Sequence, residues 1–327
     1  MPNLSWGVSM RVVVIGGTGH VGTYLIPRLV DAGYEVICLN RGGSPYIPNA
    51  AWRKVQRVTV DRKAEDAAGT FGERVRLLKP DIVVDMICFE PESARQLVEA
   101  LRGKIRHYLC CGTVWVHGYN VVVPVTEDMP RRPLGEYGTK KAQLEAYLLE
   151  EARLRGFPAT LVHPGHIVGQ GWVPLDPVGT WNTKVFEKLA RGEELMMPHE
   201  GLETLHHVHA DDVAQVFMKA IANWKASVGE SFHAVSPAAM TMRGYAESVA
   251  AWFGQPARLR FVPWAEYRTS VSVEEASWCW EHLTHSSNCS IAKSQRLLDY
   301  QPRYSSLEGV VESLTWLIEH GKLNVRA

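Results

Sequence analysis

Through the first half of the chain, short apolar, β-branched runs alternate with longer amphipathic stretches. Val12-Val13-Val14-Ile15 and Ile82-Val83-Val84 are runs with no polar face, and Tyr24, Leu25, Leu29 and Val30 recur at helical spacing. Strands of that kind separated by helices are the mark of a parallel sheet covered on both faces. The pattern predicts strands at 11–15, 35–39, 55–60, 81–87, 105–111 and 158–163, with helices between them. A helix from His20 to Ala32 is expected to stop at Gly33, which takes the left-handed conformation at little cost. Pro91 opens a second helix that ends near Gly103, and a third covers 136–155. Beyond Gly165 the alternation gives way to a loop rich in Gly and Pro and then to a less regular mix, predicting a smaller lobe. The segment 206–223 is predicted to return to the core as a strand running into a helix, with an Asp favoured near the helix N-terminus.

The 327 residues suffice for a sizeable core, and a net charge of +0 lacks the footprint of a general nucleic-acid binder. No apolar run is long enough to span a bilayer, and Met1 to Met10 lacks the basic start and apolar stretch of a signal peptide. The expectation is a cytoplasmic protein with no membrane and no nucleic-acid partner, in which residues 1–10 form a disordered extension. Six cysteines show no Cys-x-x-Cys spacing and are expected to be reduced; the adjacent Cys110 and Cys111 face opposite sides of one strand.

Between the first strand and its helix lies Gly16-Gly17-Thr18-Gly19-His20-Val21-Gly22. Glycines at 16, 19 and 22 let the backbone turn tightly and approach a pyrophosphate, whose charge then lies on the helix N-terminus. The backbone of Gly16, Thr18, Gly19, His20, Val21 and Gly22 is therefore a candidate dinucleotide site. The fold class that follows is α/β, a Rossmann-type doubly wound parallel sheet with a smaller C-terminal substrate lobe. Residues 11–165 would form the dinucleotide-binding domain and 166–327 mostly the lobe, with about 204–235 returning to the core. NAD sites place a carboxylate after the second strand, where this chain has Asn40-Arg41. A neutral Asn40 removes repulsion from a 2′-phosphate and Arg41 can pair with it, which favours NADP, with NAD as the alternative. Asp61, after the third strand, either meets the adenine or serves the turn.

Tyr137 and Lys141 stand one helical turn apart and share a face, so an ammonium can lower a phenol's pKa from about 10 toward working pH. Such a phenol can pass a proton to or from a carbohydrate hydroxyl. Upstream, Cys111-Gly112-Thr113-Val114-Trp115-Val116-His117-Gly118 places a hydroxyl, Thr113, at the end of the fifth strand.

In order and spacing, these motifs resemble the extended branch of the short-chain dehydrogenase/reductase superfamily, the NAD-dependent epimerase/dehydratase family. The resemblance implies that Tyr137 is the acid/base and that Lys141 binds the nicotinamide ribose and holds the phenol's pKa down. It further implies that Thr113 bonds the reacting oxygen and that Pro164 adjoins the cofactor. Glu145 fits the family's helix pattern without a chemical role. The resemblance also implies a homodimer paired through 91–102 and 136–155. Dehydratases of this branch carry Asp-Glu after the threonine; Val114 and Trp115 here disfavour dehydration. His166 falls where an asparagine often contacts substrate, and Trp115, Trp278 and Trp280 are candidates to stack on a sugar's apolar face. Trp278 to Ser286 lacks the arginine that neutralises a diphosphate in nucleotide-sugar epimerases, which points to a free sugar, sugar acid or polyol. His206, His207, His209, Asp211 and Asp212 resemble a metal cluster in composition only, since alternation along a strand separates them, and no metal is expected. The expected activity is NAD(P)-dependent oxidoreduction or epimerisation of a sugar-like substrate. The alternative is a non-catalytic NADP-binding sensor or RNA-binding relative.

Overall fold

The computed structural model describes residues 9–325. The first half runs β1 (Arg11–Ile15), α1 (His20–Asp31), β2 (Glu35–Asn40), β3 (Gln56–Thr59), α2 (Arg62–Ala67), α3 (Phe71–Leu77), β4 (Ile82–Asp85), α4 (Pro91–Leu101), β5 (His107–Cys111), α5 (Gly135–Arg155) and β6 (Ala159–Pro164). Each strand falls close to its predicted position, and apart from the largely exposed edge strand β3 the apolar runs that define the strands are buried on both sides. Val12 and Val14 enter the cluster on one face of the sheet, while Val13 and Ile15 enter the other. Cys110 and Cys111 likewise go to opposite faces, and all six cysteines are buried and free. Gly33 closes α1 at φ +86°. Residues 1–8 of the expected extension lie outside the described residues. Ser9 and Met10 are tied to the start of β2 at the amino end of the sheet, Ser9 Oγ donating to the Gly33 carbonyl at 2.6 Å and the Met10 carbonyl accepting from Glu35 N at 3.0 Å.

The second half continues β7 (His166–Val168), α6 (Thr183–Ala190), β8 (Glu194–Pro198), β9 (Thr204–Leu205), β10 (His207–His209), α7 (Ala210–Ala222), α8 (Trp224–Ser227), β11 (Ser231–Ala234), β12 (Met240–Thr241), α9 (Met242–Trp252), β13 (Arg258–Val262), α10 (Trp264–Ser270), α11 (Val273–His285), α12 (Ala292–Leu298) and α13 (Ser306–Glu319). One seven-stranded parallel sheet has the order β3-β2-β1-β4-β5-β6-β11. Strand order reverses between β1 and β4, which opens a crevice at the carboxyl ends of the strands, where ligands bind in sheets of this type. No described helix is long and apolar enough to cross a membrane.

The predicted return of 206–223 divides in the structure. Helix α7 does pack on α1, but β10 pairs with β7 outside the main sheet. The place beside β6 is taken by β11, whose Ser231 to Ala234 register against Leu161 to Pro164. Gly165 makes the separate pairing possible, because a Cβ there would lie 2.2 Å from the His206 carbonyl oxygen. A third apolar cluster, including Phe186, Met197, Tyr245, Val249 and Leu314, forms the lobe that faces the crevice.

Candidate functional site

The glycine turn joins β1 to α1 at the crevice. Gly16 has φ +80° and donates to the Leu39 carbonyl at 2.8 Å, so the turn is fastened to β2. Gly22 is required by packing, since a Cβ there would lie 2.0 Å from the Gly17 carbonyl oxygen. At Gly19 a Cβ would meet only Gly16 O, at 3.4 Å. The space over Gly19 is thus open, and α1 begins there with no side-chain cap and no acidic residue in its first turn. Its first N–H groups remain free for an anion, so the residues present fit a dinucleotide pyrophosphate. His20 and Val21 are buried at the first helical positions. The His20 ring stacks on Trp172 at 4.7 Å, and burial, reinforced by His209, lowers its pKa to about 3.

At the end of β2, Asn40 is buried and its Oδ1 accepts from Gly42 N at 2.7 Å, closing the turn that leaves Arg41 exposed. Asp61 is exposed at the carboxyl end of the sheet and caps α2, Oδ1 accepting from Ala64 N at 3.2 Å.

Thr113, Tyr137 and Lys141 converge at the carboxyl end of β5. Lys141 is buried, and its Nζ donates to the carbonyls of Cys88 at 2.7 Å and Cys111 at 2.9 Å, one beyond β4 and one at the end of β5. The ammonium lies 5.9 Å from the centre of the Tyr137 ring, and Tyr137 remains 43% exposed toward the crevice. Burial would lower the lysine's pKa, but the phenol and nearby thiols outweigh it and the net shift is upward, so the group is an ammonium. For the phenol, desolvation raises the pKa and is the largest effect; Lys141 lowers it as expected and Thr113 assists, but the Cys111 and Cys110 thiols add to desolvation and the net shift is upward. Thr113 Oγ1 accepts from Trp115 N at 3.2 Å, which turns the chain at the strand end.

Behind Thr113 lies a buried relay that the sequence did not disclose. Thr113 N donates to His163 Nδ1 at 2.9 Å, so that nitrogen is unprotonated and His163 Nε2 donates to Glu145 Oε1 at 2.9 Å. Arg131 grips the same carboxylate with Nε at 2.8 Å and Nη2 at 2.6 Å. Although burial opposes it, His163 and Arg131 hold Glu145 far below the usual carboxylate range. Gly112 is glycine because a Cβ there would lie 2.2 Å from His163 Nδ1. Glu145, expected to lack a chemical role, therefore orients the strand end that presents Thr113. Its spacing four residues after Lys141 on α5 was the only signal available. Pro164 follows His163 as the buried last residue of β6.

Across the crevice, Trp115 lies 6.0 Å from Tyr137, stacks on His285 at 4.1 Å, and lies 6.4 Å from His166. His166 is 5.1 Å from His282 and 5.7 Å from His207. Trp278 packs edge-on against Trp181, itself 5.3 Å from His282. Trp280, a candidate stacking residue, points away and packs on Trp264 at 5.0 Å, because it lies on the opposite face of α11 from Trp278, His282 and His285.

The profile of the NAD dependent epimerase/dehydratase family matches residues 12–234. The chain belongs to that family. Similar proteins include 2′-dehydrokanamycin reductase of Streptomyces kanamyceticus, 28% identical over 96% of this chain and 86% of the relative. A chloroplast stem-loop binding protein of Arabidopsis thaliana is 24% identical over 93% of this chain and 78% of the relative. Among solved structures, UDP-glucose 4-epimerase of Thermotoga maritima with UDP-glucose superposes with a TM-score of 0.72 at 20% identity, covering 95% of this chain and 99% of that one.

Membership in this epimerase/dehydratase family places the chain in the extended short-chain dehydrogenase/reductase superfamily. The side chains of the histidine-rich segment take separate partners. His206 bonds Ser236 O and Cys289 N, His207 reaches Leu175 O at 3.4 Å, and His209 Nε2 lies 2.5 Å from Glu312 Oε2. Asp211 pairs with Arg28 and Arg303, while Asp212 accepts from the backbone at Arg303 and Tyr304. Trp172, Trp181, His207, His282 and His285 join the site without having been singled out as site residues from sequence. For the last two, the signal was their helical spacing from Trp278.

Proposed function

We propose that this chain moves a hydride between a nicotinamide dinucleotide and a secondary alcohol or ketone of a sugar or sugar-like substrate, with Tyr137 as acid/base. The observation that carries this reading is the convergence of Lys141, Tyr137 and Thr113 on the crevice that the glycine turn also lines. When bound, the dinucleotide supplies the hydride acceptor or donor. Gly16, Thr18, Gly19, His20, Val21 and Gly22 would hold its pyrophosphate through their backbone, and Asn40, Arg41 and Asp61 its adenosine end. Lys141 and Pro164 would adjoin the nicotinamide half. A neutral Asn40 and an exposed Arg41 favour NADP over NAD.

Tyr137 Oη gives a proton to the substrate oxygen in reduction and takes it in oxidation, while the Thr113 hydroxyl bonds the same oxygen. Partial burial keeps the phenol protonated at neutral pH, which suits reduction. The relative named 2′-dehydrokanamycin reductase supports the same direction. Val114 and Trp115, in place of an acid and a base, disfavour dehydration. The stem-loop binding relative favours a second reading, a dinucleotide-binding protein without chemistry; the intact Thr113, Tyr137 and Lys141 and the net charge of +0 argue against it. A homodimer through α4 and α5 belongs to the same proposal, and light scattering is expected to give twice the mass of 36.6 kDa.

The test is Tyr137→Phe, measured with NADPH, NADH and a panel of keto sugars. Turnover is expected to fall by about 10²–10⁴-fold, the usual contribution of a positioned acid/base, with dinucleotide affinity retained. Turnover equal to the parent's would sink the assignment.

A further inference from the structure

The lobe side of the crevice is walled by imidazoles drawn from three elements: His166 on β7, His207 on β10, and His282 and His285 on α11. Five of their ring nitrogens are buried and have no protein partner: both of His166, Nδ1 of His207, and Nε2 of His282 and of His285. Leaving a buried polar atom without a partner is destabilising, so a wall of five calls for an explanation.

The bonds these rings do make fix their chemistry. His282 Nδ1 lies 2.7 Å from the Trp278 carbonyl, His285 Nδ1 2.7 Å from the Glu281 carbonyl, and His207 Nε2 3.4 Å from the Leu175 carbonyl. A carbonyl oxygen can only accept, so in each ring the bonded nitrogen carries the proton and the remaining nitrogen is a bare lone pair. The wall therefore presents three acceptors, and His166 adds one donor and one acceptor. Burial keeps the rings neutral, holding His282 at about 4 and His207 at about 3. The charges acting on His207 and His282 come from neighbouring imidazoles. Trp278 to Ser286 carries no lysine or arginine.

Such a wall satisfies O–H and N–H donors and repels phosphate or carboxylate oxygens, which only accept. Resting on the hydride-transfer reading for its orientation toward Tyr137, we propose that these four histidines form the ring-recognition subsite and that its ligand is an anion-free, donor-rich saccharide or cyclitol. Hydroxyl or ammonium groups on the ligand donate to the bare imidazole nitrogens, and Trp115, 4.1 Å from His285 and 6.0 Å from Tyr137, lies against its C–H face. Of the free sugar, sugar acid and polyol considered from sequence, the acid is thereby set aside.

The test is isothermal titration of the full chain, parent and Tyr137→Phe, with methyl glucoside, myo-inositol, glucosamine, glucuronate, glucose 1-phosphate and UDP-glucose. At least one of the first three is expected to bind at least roughly tenfold more tightly than every anionic ligand, its neutral or cationic identity separating hydroxyl from ammonium recognition. His282→Phe and His285→Phe should each weaken that binding roughly tenfold, the loss expected when a ligand donor is left unpaired, and His282→Gln, which keeps an acceptor, should restore part of it. Unchanged dinucleotide affinity in each variant checks the fold. Tighter binding of glucose 1-phosphate or UDP-glucose, unchanged affinity in the phenylalanine variants, or no saccharide binding by a dinucleotide-competent chain overturns the proposal. Saccharide binding without turnover by the parent would instead sink hydride transfer and leave this subsite standing.

Discussion

Lys141 is held by main chain rather than by side chains. Its two carbonyl partners lie just beyond β4 and at the end of the adjacent β5, so its ammonium reports the position of the sheet's carboxyl edge. Thr113 is held in a comparable way by His163, whose tautomer is set by Glu145 and Arg131. Replacing His163 by Ala removes the acceptor for Thr113 N–H and leaves the Arg131–Glu145 pair intact, so the damage should be confined to the placement of the threonine. Misplacement of a reacting group by about 1 Å costs about 10²-fold. The expected result is a kcat reduced by about 10–10²-fold with dinucleotide affinity unchanged, measured by steady-state kinetics and cofactor titration. Glu145→Gln, which still accepts from His163, should fall between this variant and the parent. A loss of dinucleotide affinity equal to the loss of kcat would instead mark His163 as a general packing residue.

At the scale of elements, Gly22 and Gly19 separate folding from binding within one turn. A methyl at 22 runs into the Gly17 carbonyl, so Gly22→Ala should destabilise the chain by about 1–3 kcal/mol, seen as a lower urea midpoint. A methyl at 19 meets no protein atom closer than 3.4 Å, so Gly19→Ala should fold within about 0.5 kcal/mol of the parent and still lose dinucleotide affinity. Elements of this kind were legible in the sequence because their causes are local. An apolar run buried on both faces, a glycine at a turn and a proline opening a helix each act within a few residues. The exchange of β10 for β11 at the sheet edge was not legible, since both segments are short and mix apolar residues with histidine, and the choice depends on which reaches β6. The His163–Glu145 contact was hidden for the same reason, linking β6 to α5 across 18 residues of sequence. His282 and His285 were within reach of sequence reasoning, because i, i+4 and i+7 spacing from Trp278 puts all three on one face of α11 and leaves Trp280 off it.

For the whole molecule, the histidines decide how stability depends on pH. Nine of the thirteen have pKa values lowered chiefly by burial: His20, His107, His117, His166, His206, His207, His233, His282 and His285. Unfolded, each takes up a proton near pH 6.5, whereas folded it resists down to about 3 or 4 where the shift is largest. Between those limits the unfolded chain binds more protons, so stability rises with pH, by up to about 1.4 kcal/mol per pH unit for each such group. The contribution is fully present above about pH 7.5 and drains away as pH falls through 6.5. Asp176, raised to about 7 by burial, works in the opposite sense, as do Glu127 and Asp212, raised for the same reason. Three groups offset only part of nine. Glu145, depressed by His163 and Arg131, adds to the acid lability once unfolded glutamates protonate near 4.3. The urea midpoint should therefore drop steeply between about 7 and 5.5, before most carboxylates titrate, and its plateau should end near pH 8, where unfolded thiols begin to ionise while burial keeps those of Cys38, Cys111, Cys279 and Cys289 protonated in the folded chain. His107→Gln tests one share of this slope, because His107 Nε2 lies 2.8 Å from Thr160 Oγ1 and burial lowers its pKa to about 4. That variant should show a shallower decline, and a parent midpoint unchanged down to pH 5.5 would mean that the buried imidazoles acquire protons in the folded state.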